Sequence, residues 1–437
     1  MSAGKRVLIT GLSTYWGGRL AQGLERDPSI ETVIGVDRRP PKVELERTEW
    51  VEVADSHSLI RRIVQGAEID TVVDTRLVVD SVVTSSRRAH ENNVIGTMNL
   101  LAACSGPDSC VRKVVFKSSA HYYGCEQDDP AYFTEEMLRP HAPHTALERD
   151  IVEAEGSVRQ FADTHPDATV TVLRFANGLG PNLNTSHMRY FGLPVIPTIL
   201  GFDPRYQFIH YDDIAGVLEH AVRNDLPGIY NAAADGVLAL TEVTDLLGKQ
   251  WAPLLPPWGT GLAAAALRRA GVTISPEMLA QLRFGRALDN RKLKATGYRY
   301  AFTTRETLLK LREYQRLAPL LGKASGEGYR YEREVEEFLR RSPSVRVRDV
   351  PASEPVKNVP KGARRASPSP ARPRRAARAS APVPEYDELE AEEVIALLRS
   401  MQERDLEALR VYEAGRAGRE SVLRAIDSLL ARARSPA

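Results

Sequence analysis

The stretch VLITGLSTYWGG, residues 7–18, predicts a buried strand that turns sharply into a helix. Gly11 and Gly17 allow the backbone to turn tightly and to approach a pyrophosphate, whose charge the N–H groups of a helix N-terminus can bind. Asp37 follows the run 33–36 about twenty residues later, where a carboxylate can accept hydrogen bonds from a ribose. A glycine pattern alone also fits an ordinary strand-to-helix turn, but strand, glycines, helix and acid together favour a dinucleotide pocket.

Short runs rich in Val and Ile alternate with longer amphipathic stretches between Arg6 and about Pro227. Three of these runs are Thr71–Val73, Lys113–Phe116 and Thr169–Leu173. The alternation is typical of repeated strand-helix-strand units. We therefore predict an α/β fold with a doubly wound parallel sheet of the Rossmann type. The predicted domain spans residues 1–321, and its smaller substrate lobe takes mainly residues 183–205 and 228–321.

Composition and charge fit a globular protein of one large domain with appendages, or of two domains. The 437 residues carry a formal net charge of +2, so any basic binding surface must be local. The three cysteines show neither metal-ligand spacing nor the density of a disulfide scaffold, which favours a reducing compartment. No apolar run reaches the roughly 18 residues of a membrane span, and Met1–Lys5 leads directly into a strand without a signal-peptide core. We expect a cytoplasmic protein without a metal site.

The chain beyond residue 321 divides into three further predicted segments. Residues 322–345 are expected to form a helical extension. Residues 346–384 are rich in Pro, Ala, Ser and Arg and poor in large apolar residues, which predicts a disordered linker. Residues 385–434 regain apolar residues at three- and four-residue intervals, which predicts a small helical module. A hairpin that folds on itself is favoured there over a surface that docks a protein partner.

The arginines of the predicted linker alternate with Pro, Ala and Ser, and no aromatic residues interleave to stack on bases. Basic disordered segments can bind nucleic acid or anionic lipid by releasing counterions. Without stacking residues, a solvated tether is favoured over either of these partners.

Four further motifs follow the opening turn in order along the chain. They are NVIGT at 93–97, SSAHYYG at 118–124, LRFANGLGP at 173–181 and FIHYDDIA at 208–215. Together with the opening turn, in which Thr14 replaces a middle glycine, they resemble the extended short-chain dehydrogenase/reductase family. This family includes NAD-dependent sugar epimerases and dehydratases such as UDP-glucose 4-epimerase. The resemblance covers about residues 5–315 and is specific, because several motifs match in the same order.

The resemblance implies NAD as cofactor and a nucleotide sugar or similar polar molecule as substrate, with Asn177 contacting the substrate. A carboxylate at Asp37 favours NAD, because it would repel a 2′-phosphate, whereas Arg38 and Arg39 leave NADP open. Pairing of two subunits through a helix bundle is also implied. The predicted cofactor-binding residues are Gly11, Thr14, Tyr15, Trp16, Gly17, Asp37, Arg38, Asn93 and Ser118.

The chain departs from the family at its Tyr-x-x-x-Lys pair, since residues 143–153 contain neither tyrosine nor lysine. A tyrosine with an unperturbed pKa of about 10 acts as a base near neutral pH only beside a cation that lowers it. One register places His144 at the tyrosine position and Glu148 at the lysine position, four residues on and on the same helical face. Imidazole titrates near neutrality, so His144 could move a proton while Ser119 steadies the substrate oxygen.

A register shifted by one residue places Thr145 and Arg149 at the two positions. Glu153 then falls where the family often has a glutamate, eight residues after the tyrosine, but this arrangement contains no obvious base. The fourth strand departs as well, because the family's His-x-Ala-Ala is replaced by DTRL at 74–77. The floor of the predicted cofactor pocket is therefore altered too.

These matches and departures support two hypotheses. In the first, the chain is an NAD-dependent epimerase, dehydratase or reductase that acts by transient hydride transfer in an atypical active site. In the second, it is an NAD(P)-binding regulatory or scaffold protein that has lost the proton relay and binds a partner through residues 385–434.

Overall fold

A computed structural model describes two units of the chain, Met1–Arg348 and Asp349–Ala437. The described residues are 4–53, 56–82, 84–106, 109–181, 183–269, 274–317, 409–410, 423–427 and 430. The predicted extension at 322–345 and linker at 346–384 lie outside the described residues, as does most of the predicted module at 385–434.

The strands and helices of the first unit follow one another as short alternating elements. The strands are β1 (Lys5–Thr10), β2 (Ile30–Asp37), β3 (Glu49–Glu52), β4 (Thr71–Asp74), β5 (Lys113–Ser119), β6 (Thr169–Phe175), β7 (Asn177–Leu179), β8 (Val195–Ile199), β9 (Arg205–Tyr206), β10 (Phe208–His210), β11 (Gly228–Ala232), β12 (Leu238–Ala239) and β13 (Gln250–Leu255). The helices are α1 (Tyr15–Glu25), α2 (His57–Gly66), α3 (Ser86–His90), α4 (Gly96–Cys104), α5 (Ala146–Thr164), α6 (Ser186–Phe191), α7 (Tyr211–Arg223), α8 (Leu240–Leu247), α9 (Thr260–Arg269), α10 (Pro276–Phe284), α11 (Arg291–Ala295) and α12 (Thr304–Leu317). A π-helical turn, Glu91–Ile95, precedes α4, and a 3-10 turn, Ala120–Tyr123, follows β5.

Seven parallel strands form the main sheet, in the order β11-β6-β5-β4-β1-β2-β3. Successive residues of the central strands face opposite sides: Leu8 and Val72 join one apolar core, and Ile9 and Val73 join the other. Both faces are therefore covered, which explains why these strands are continuous apolar runs. The strand order reverses between β1 and β4, which creates a crevice at the carboxyl ends of the strands. The predicted Rossmann-type α/β fold is confirmed.

A smaller lobe lies beyond the carboxyl ends of the main sheet. It contains three two-stranded sheets, β10 with β7, β12 with β9, and β13 with β8, and its core includes Tyr206, Phe208 and Leu282. The predicted lobe boundary at residue 228 differs from the structure, because Gly228–Ala232 pairs with β6 as an edge strand of the main sheet. Pro227 marks the loop before this last strand rather than the end of the sheet.

In the second unit, residues 409–410, 423–427 and 430 are helical. Leu409, Ile426 and Leu430 are buried, and all three belong to the apolar positions from which the helical module is predicted. Across both units, the helices in the described part of the chain are too short or too polar to cross a lipid bilayer.

Replacing Gly156 by Ala should stabilise the fold by up to about 1 kcal/mol, because glycine in a helix interior carries an entropic penalty. Gly156 lies within α5, and a Cβ there would meet nothing within 4 Å. The midpoint of urea unfolding measures the change. Gly248→Ala is the control and should destabilise, because Gly248 has φ +66°. A lower midpoint for Gly156→Ala would contradict the prediction.

Candidate functional site: a dinucleotide crevice with a serine-histidine pair

The turn between β1 and α1 closes only with glycine at two positions. Gly11 has φ +82°, and a Cβ there would lie 2.7 Å from Cγ of Arg76. A Cβ on Gly17 would overlap the carbonyl oxygen of Gly11. Because Gly11 and Gly17 have no side chain, the N-terminus of α1 can lie against the end of β1, as a pyrophosphate cradle requires. The turn therefore fits a dinucleotide.

Thr14 occupies the position of the family's middle glycine without filling the cradle. It is the N-cap of α1, and its hydroxyl accepts from the Gly17 N–H at 3.1 Å and donates to the Gly11 carbonyl at 2.7 Å. The Trp16 side chain packs against the core below the turn, and Tyr15 meets it edge to face. Tyr15 and Trp16 also form the first turn of α1, whose N–H groups can bind a phosphate, and their contact with the cofactor stays a prediction.

Asp37 lies at the end of β2, beside a cavity of about 220 Å³ that Thr14, Arg38 and Arg76 also line. Its Oδ2 accepts from the Ser13 N–H at 2.9 Å, so the carboxylate is fixed next to the glycine turn. A carboxylate has further lone pairs, which can accept from ribose hydroxyls. Arg38 is exposed at the same cavity, which is why NADP stays open as an alternative.

Two predicted cofactor-binding residues, Asn93 and Ser118, are fully buried and hold protein groups instead. The Asn93 amide accepts from the Val78 N–H and donates to the Val78 carbonyl, both at 2.8 Å. The Ser118 hydroxyl donates to Glu155. Both side chains are enclosed by protein groups in this structure, and contact of these two residues with the cofactor stays a prediction. They shape the crevice by fixing the loop after β4 and the end of β5.

The altered floor of the crevice is an ion pair between the buried Asp74 and the partly buried Arg76. Arg76 donates to both oxygens of Asp74, at 3.0 and 2.9 Å, and to the Gly96 carbonyl at 3.0 Å. Burial alone would raise the pKa of Asp74, but the charge and hydrogen bonds of Arg76 outweigh it and hold that pKa below its usual value. The side chain of Arg76 is thereby held against the Gly11 turn.

At the other end of the crevice, Ser119 ends β5 and contacts His121 of the following turn. The Ser119 Oγ lies 2.9 Å from Nδ1 of His121, whose Nε2 lies 3.1 Å from Nε2 of Gln281 on α10. Oε1 of Gln281 accepts from Nδ2 of Asn177 at 2.9 Å. The structure therefore brings the buried Ser119 and the partly buried Asn177, both predicted, into one hydrogen-bond network through Gln281.

His144 and Glu148 do not form the predicted pair. His144 precedes α5, whose N-cap is Thr145, so the two side chains do not share a helical face. The His144 imidazole, with 67% of its side chain exposed, lies 3.0 Å from Glu126. Glu148 accepts from the His144 backbone N–H at 3.1 Å, and its side chain pairs with Arg139 at 2.6 Å. The sequence spacing was correct for a helix, but the helix begins too late to include His144.

Arg139 connects Glu148 to the serine loop. Its guanidinium donates to the carbonyls of His121 and Tyr122, at 3.1 and 3.2 Å. Glu148 thus supports the loop after Ser119 indirectly. His144, Thr145 and Glu148 line a cavity of about 450 Å³, a size within the range of small-molecule sites.

Of the two neighbouring glutamates Glu153 and Glu155, Glu155 is buried and Glu153 is exposed. Glu155 forms a buried ion pair with Arg174, at 2.6 Å. If Glu155 is the glutamate that follows the family's tyrosine by eight residues, Leu147 stands at the tyrosine position and Ile151 at the lysine position. Both are buried apolar residues. The Tyr/Lys pair is therefore absent from the sequence in this third register as well.

Three residues of the site were not predicted from the sequence: Gln281, Arg139 and His187. Nε2 of His187 lies 3.1 Å from Oε1 of Gln281. Gln281 and His187 come from the irregular lobe, and Arg139 comes from a loop. Their positions follow no periodic pattern or motif, so only tertiary packing identifies them. His121 lies within a matched motif, but its spacing to Ser119 did not distinguish it from Tyr122.

A glycine cradle at the switch point of a parallel sheet, with a smaller lobe beyond it, defines a Rossmann-type dinucleotide-binding protein. The chain belongs to the NAD-dependent epimerase/dehydratase family, whose family model matches residues 7–233. It is 35% identical over 310 residues to the uncharacterized protein Rv0501 of Mycobacterium tuberculosis strain H37Rv, covering 69% of this chain and 82% of that protein.

Solved structures of similar fold include two nucleotide-sugar enzymes. One is UDP-glucose 4-epimerase of Thermotoga maritima with UDP-glucose, with a TM-score of 0.55 and 19% identity over 72% of this chain and 99% of that chain. The other is dTDP-glucose 4,6-dehydratase of Bacillus anthracis in complex with NAD, with a TM-score of 0.53 and 17% identity over 71% and 96%. At these identities the likeness shows the fold.

Proposed function

We propose that the chain is an NAD-dependent oxidoreductase of the epimerase or dehydratase type, acting on a nucleotide sugar or a similar polar substrate in an atypical active site. The observation that carries this proposal is the network of Ser119, His121, Gln281 and Asn177 at the carboxyl end of β5. The glycine turn after β1 lies at the same edge of the sheet. The fold likeness to an epimerase with UDP-glucose and a dehydratase with NAD supports the substrate class.

The proposal gives roles to NAD and to three residues. NAD, when bound, supplies reversible hydride acceptance from a carbinol carbon. Ser119 donates a hydrogen bond to the substrate oxygen, and the Asn177 amide binds a polar substrate group. His144 is the candidate proton acceptor, because its imidazole lines the larger cavity and Glu126 can orient it.

The second candidate is an NAD(P)-binding regulatory or scaffold protein that uses residues 385–434 to bind a partner. Two observations favour it. The Tyr/Lys pair is absent from the sequence in every register considered. In addition, Nδ2 of the predicted substrate residue Asn177 already donates to Gln281 within the protein.

Ser119→Ala should lower kcat about 100-fold or more while leaving NAD affinity unchanged, because it removes a donor to the reacting oxygen but not the cradle. If His144 is the base, His144→Ala should have an effect of similar size. Turnover of UDP- and dTDP-sugars is followed by product chromatography and by the absorbance of reduced nicotinamide. NAD binding is measured by calorimetry.

His141→Ala is the matched control, because His141 also faces a carboxylate, Asp128 at 2.9 Å, but does not line the larger cavity. Full activity of His144→Ala would eliminate His144 as the base. NAD binding by the unmodified protein without turnover of any sugar tested would favour the second candidate function.

A further inference from the structure

The side-chain amide of Gln281 contacts three polar side chains of the site, those of His121, Asn177 and His187. Gln281 is 2% exposed, and its partners His121 and His187 are also buried, as is Ser119, which contacts His121. Its Nε2 faces Nε2 of His121 at 3.1 Å, and its Oε1 lies 2.9 Å from Nδ2 of Asn177 and 3.1 Å from Nε2 of His187. A helix of the small lobe, α10, therefore places an amide at the centre of the serine network.

This contact determines where the proton of His121 resides. A hydrogen bond between two nitrogens needs one donor and one acceptor, and a primary amide nitrogen only donates. Nε2 of His121 is therefore the acceptor. The imidazole is neutral, because burial first, and then the charges of Arg286, His187 and Arg139, lower the pKa of His121 well below its usual value. A neutral ring that accepts at Nε2 carries its proton on Nδ1.

The tautomer of His121 sets the direction of its hydrogen bond with Ser119. Nδ1–H of His121 donates to the Ser119 Oγ at 2.9 Å, and the backbone N–H of His121 approaches the same oxygen at 3.3 Å. With its oxygen accepting from His121, the serine keeps its own proton for an acceptor in the crevice. In the opposite tautomer, Nδ1 would accept the serine proton, as in a nucleophilic serine-histidine pair.

We propose that Gln281 is a positioning residue that holds His121 in the Nδ1–H tautomer and thereby makes Ser119 a hydrogen-bond donor rather than a nucleophile. The inference rests on the proposed function for the role of Ser119 toward a substrate oxygen. It adds that the small lobe sets the direction of this hydrogen bond, because α10 supplies the amide. Asn177 and His187 both donate to Oε1 of Gln281, which keeps its Nε2 directed at His121.

The test is the tautomer of His121, read by nitrogen-15 NMR of the full chain labelled at its nine histidines. A His121→Gln variant assigns the signal. We expect a protonated Nδ1 and an unprotonated Nε2 in the unmodified protein. In Gln281→Glu the carboxylate accepts from Nε2–H, so the signal should change to the Nε2–H tautomer or to the imidazolium. Gln281→Met, which removes both the donor and the acceptor, should give a mixture of tautomers.

An Nε2–H tautomer in the unmodified protein would overturn the proposal, as would an unchanged His121 signal in Gln281→Glu. NAD affinity of each variant reports whether the fold is retained, and the unmodified protein decides the question if Gln281→Glu does not fold. The readout requires no turnover. An Nδ1–H tautomer in a protein that converts no sugar tested would therefore favour the second candidate function while leaving the role of Gln281 in place. In an active enzyme, Gln281→Glu should lower kcat about tenfold or more.

Discussion

Replacing Arg174 by Met is expected to destabilise the fold by about 3–5 kcal/mol, because the Glu155 carboxylate would remain buried without a counter-charge. Both side chains are 1% exposed, and the guanidinium donates to both oxygens of Glu155. The guanidinium also lies 3.5 Å from the ring centre of Tyr122. Urea unfolding followed by circular dichroism measures the loss.

The matched control is Lys294→Met, which breaks an ion pair with Asp235 whose side chains are 42% and 51% exposed. Exposed pairs contribute little, so the control should cost less than about 1 kcal/mol. A double variant, Arg174→Met with Glu155→Leu, should recover much of the stability, because it leaves no unpaired charge. Equal stability of Arg174→Met and the unmodified protein would show that the pair does not hold β6 to α5.

The sheet and the cofactor end of the crevice could be predicted from the sequence because local patterns encode them. The runs at 71–73, 113–116 and 169–173 are strands because valine-rich runs suit a sheet covered on both faces. Gly11 and Asp37 act within one strand-helix-strand unit, β1-α1-β2, whose geometry is set by residues near in sequence.

The end of the crevice that contains Ser119 and Asn177 could be predicted only in part. Ser119 and Asn177 lie in motifs, and the structure joins them in one network. The residue between them, Gln281, is more than a hundred positions from both Ser119 and Asn177, and its contact depends on how α10 packs. The predicted pair of His144 and Glu148 does not form for a local reason. Thr145 is the N-cap of α5, so His144 lies before the helix.

Gly17→Ala is expected to weaken NAD binding about 10- to 100-fold. The added Cβ would overlap the Gly11 carbonyl oxygen and lie 2.9 Å from the Gly11 carbonyl carbon and 3.0 Å from Cα of Leu12. All three are backbone atoms, so the turn itself must open. Overpacking of this kind costs about 1–3 kcal/mol, and each 1.4 kcal/mol is about tenfold in affinity.

Calorimetry with NAD, ADP-ribose and adenosine tests where that loss arises. If Gly17 shapes the pyrophosphate cradle, NAD and ADP-ribose should lose affinity together, whereas adenosine should lose less. Gly156→Ala is the matched control, because its Cβ meets nothing within 4 Å, and its NAD affinity should not change. A thermal unfolding midpoint for each variant separates a local opening of the turn from global unfolding. A folded Gly17→Ala protein with unchanged NAD affinity would mean that the dinucleotide does not bind against this turn, despite its fit to the family pattern.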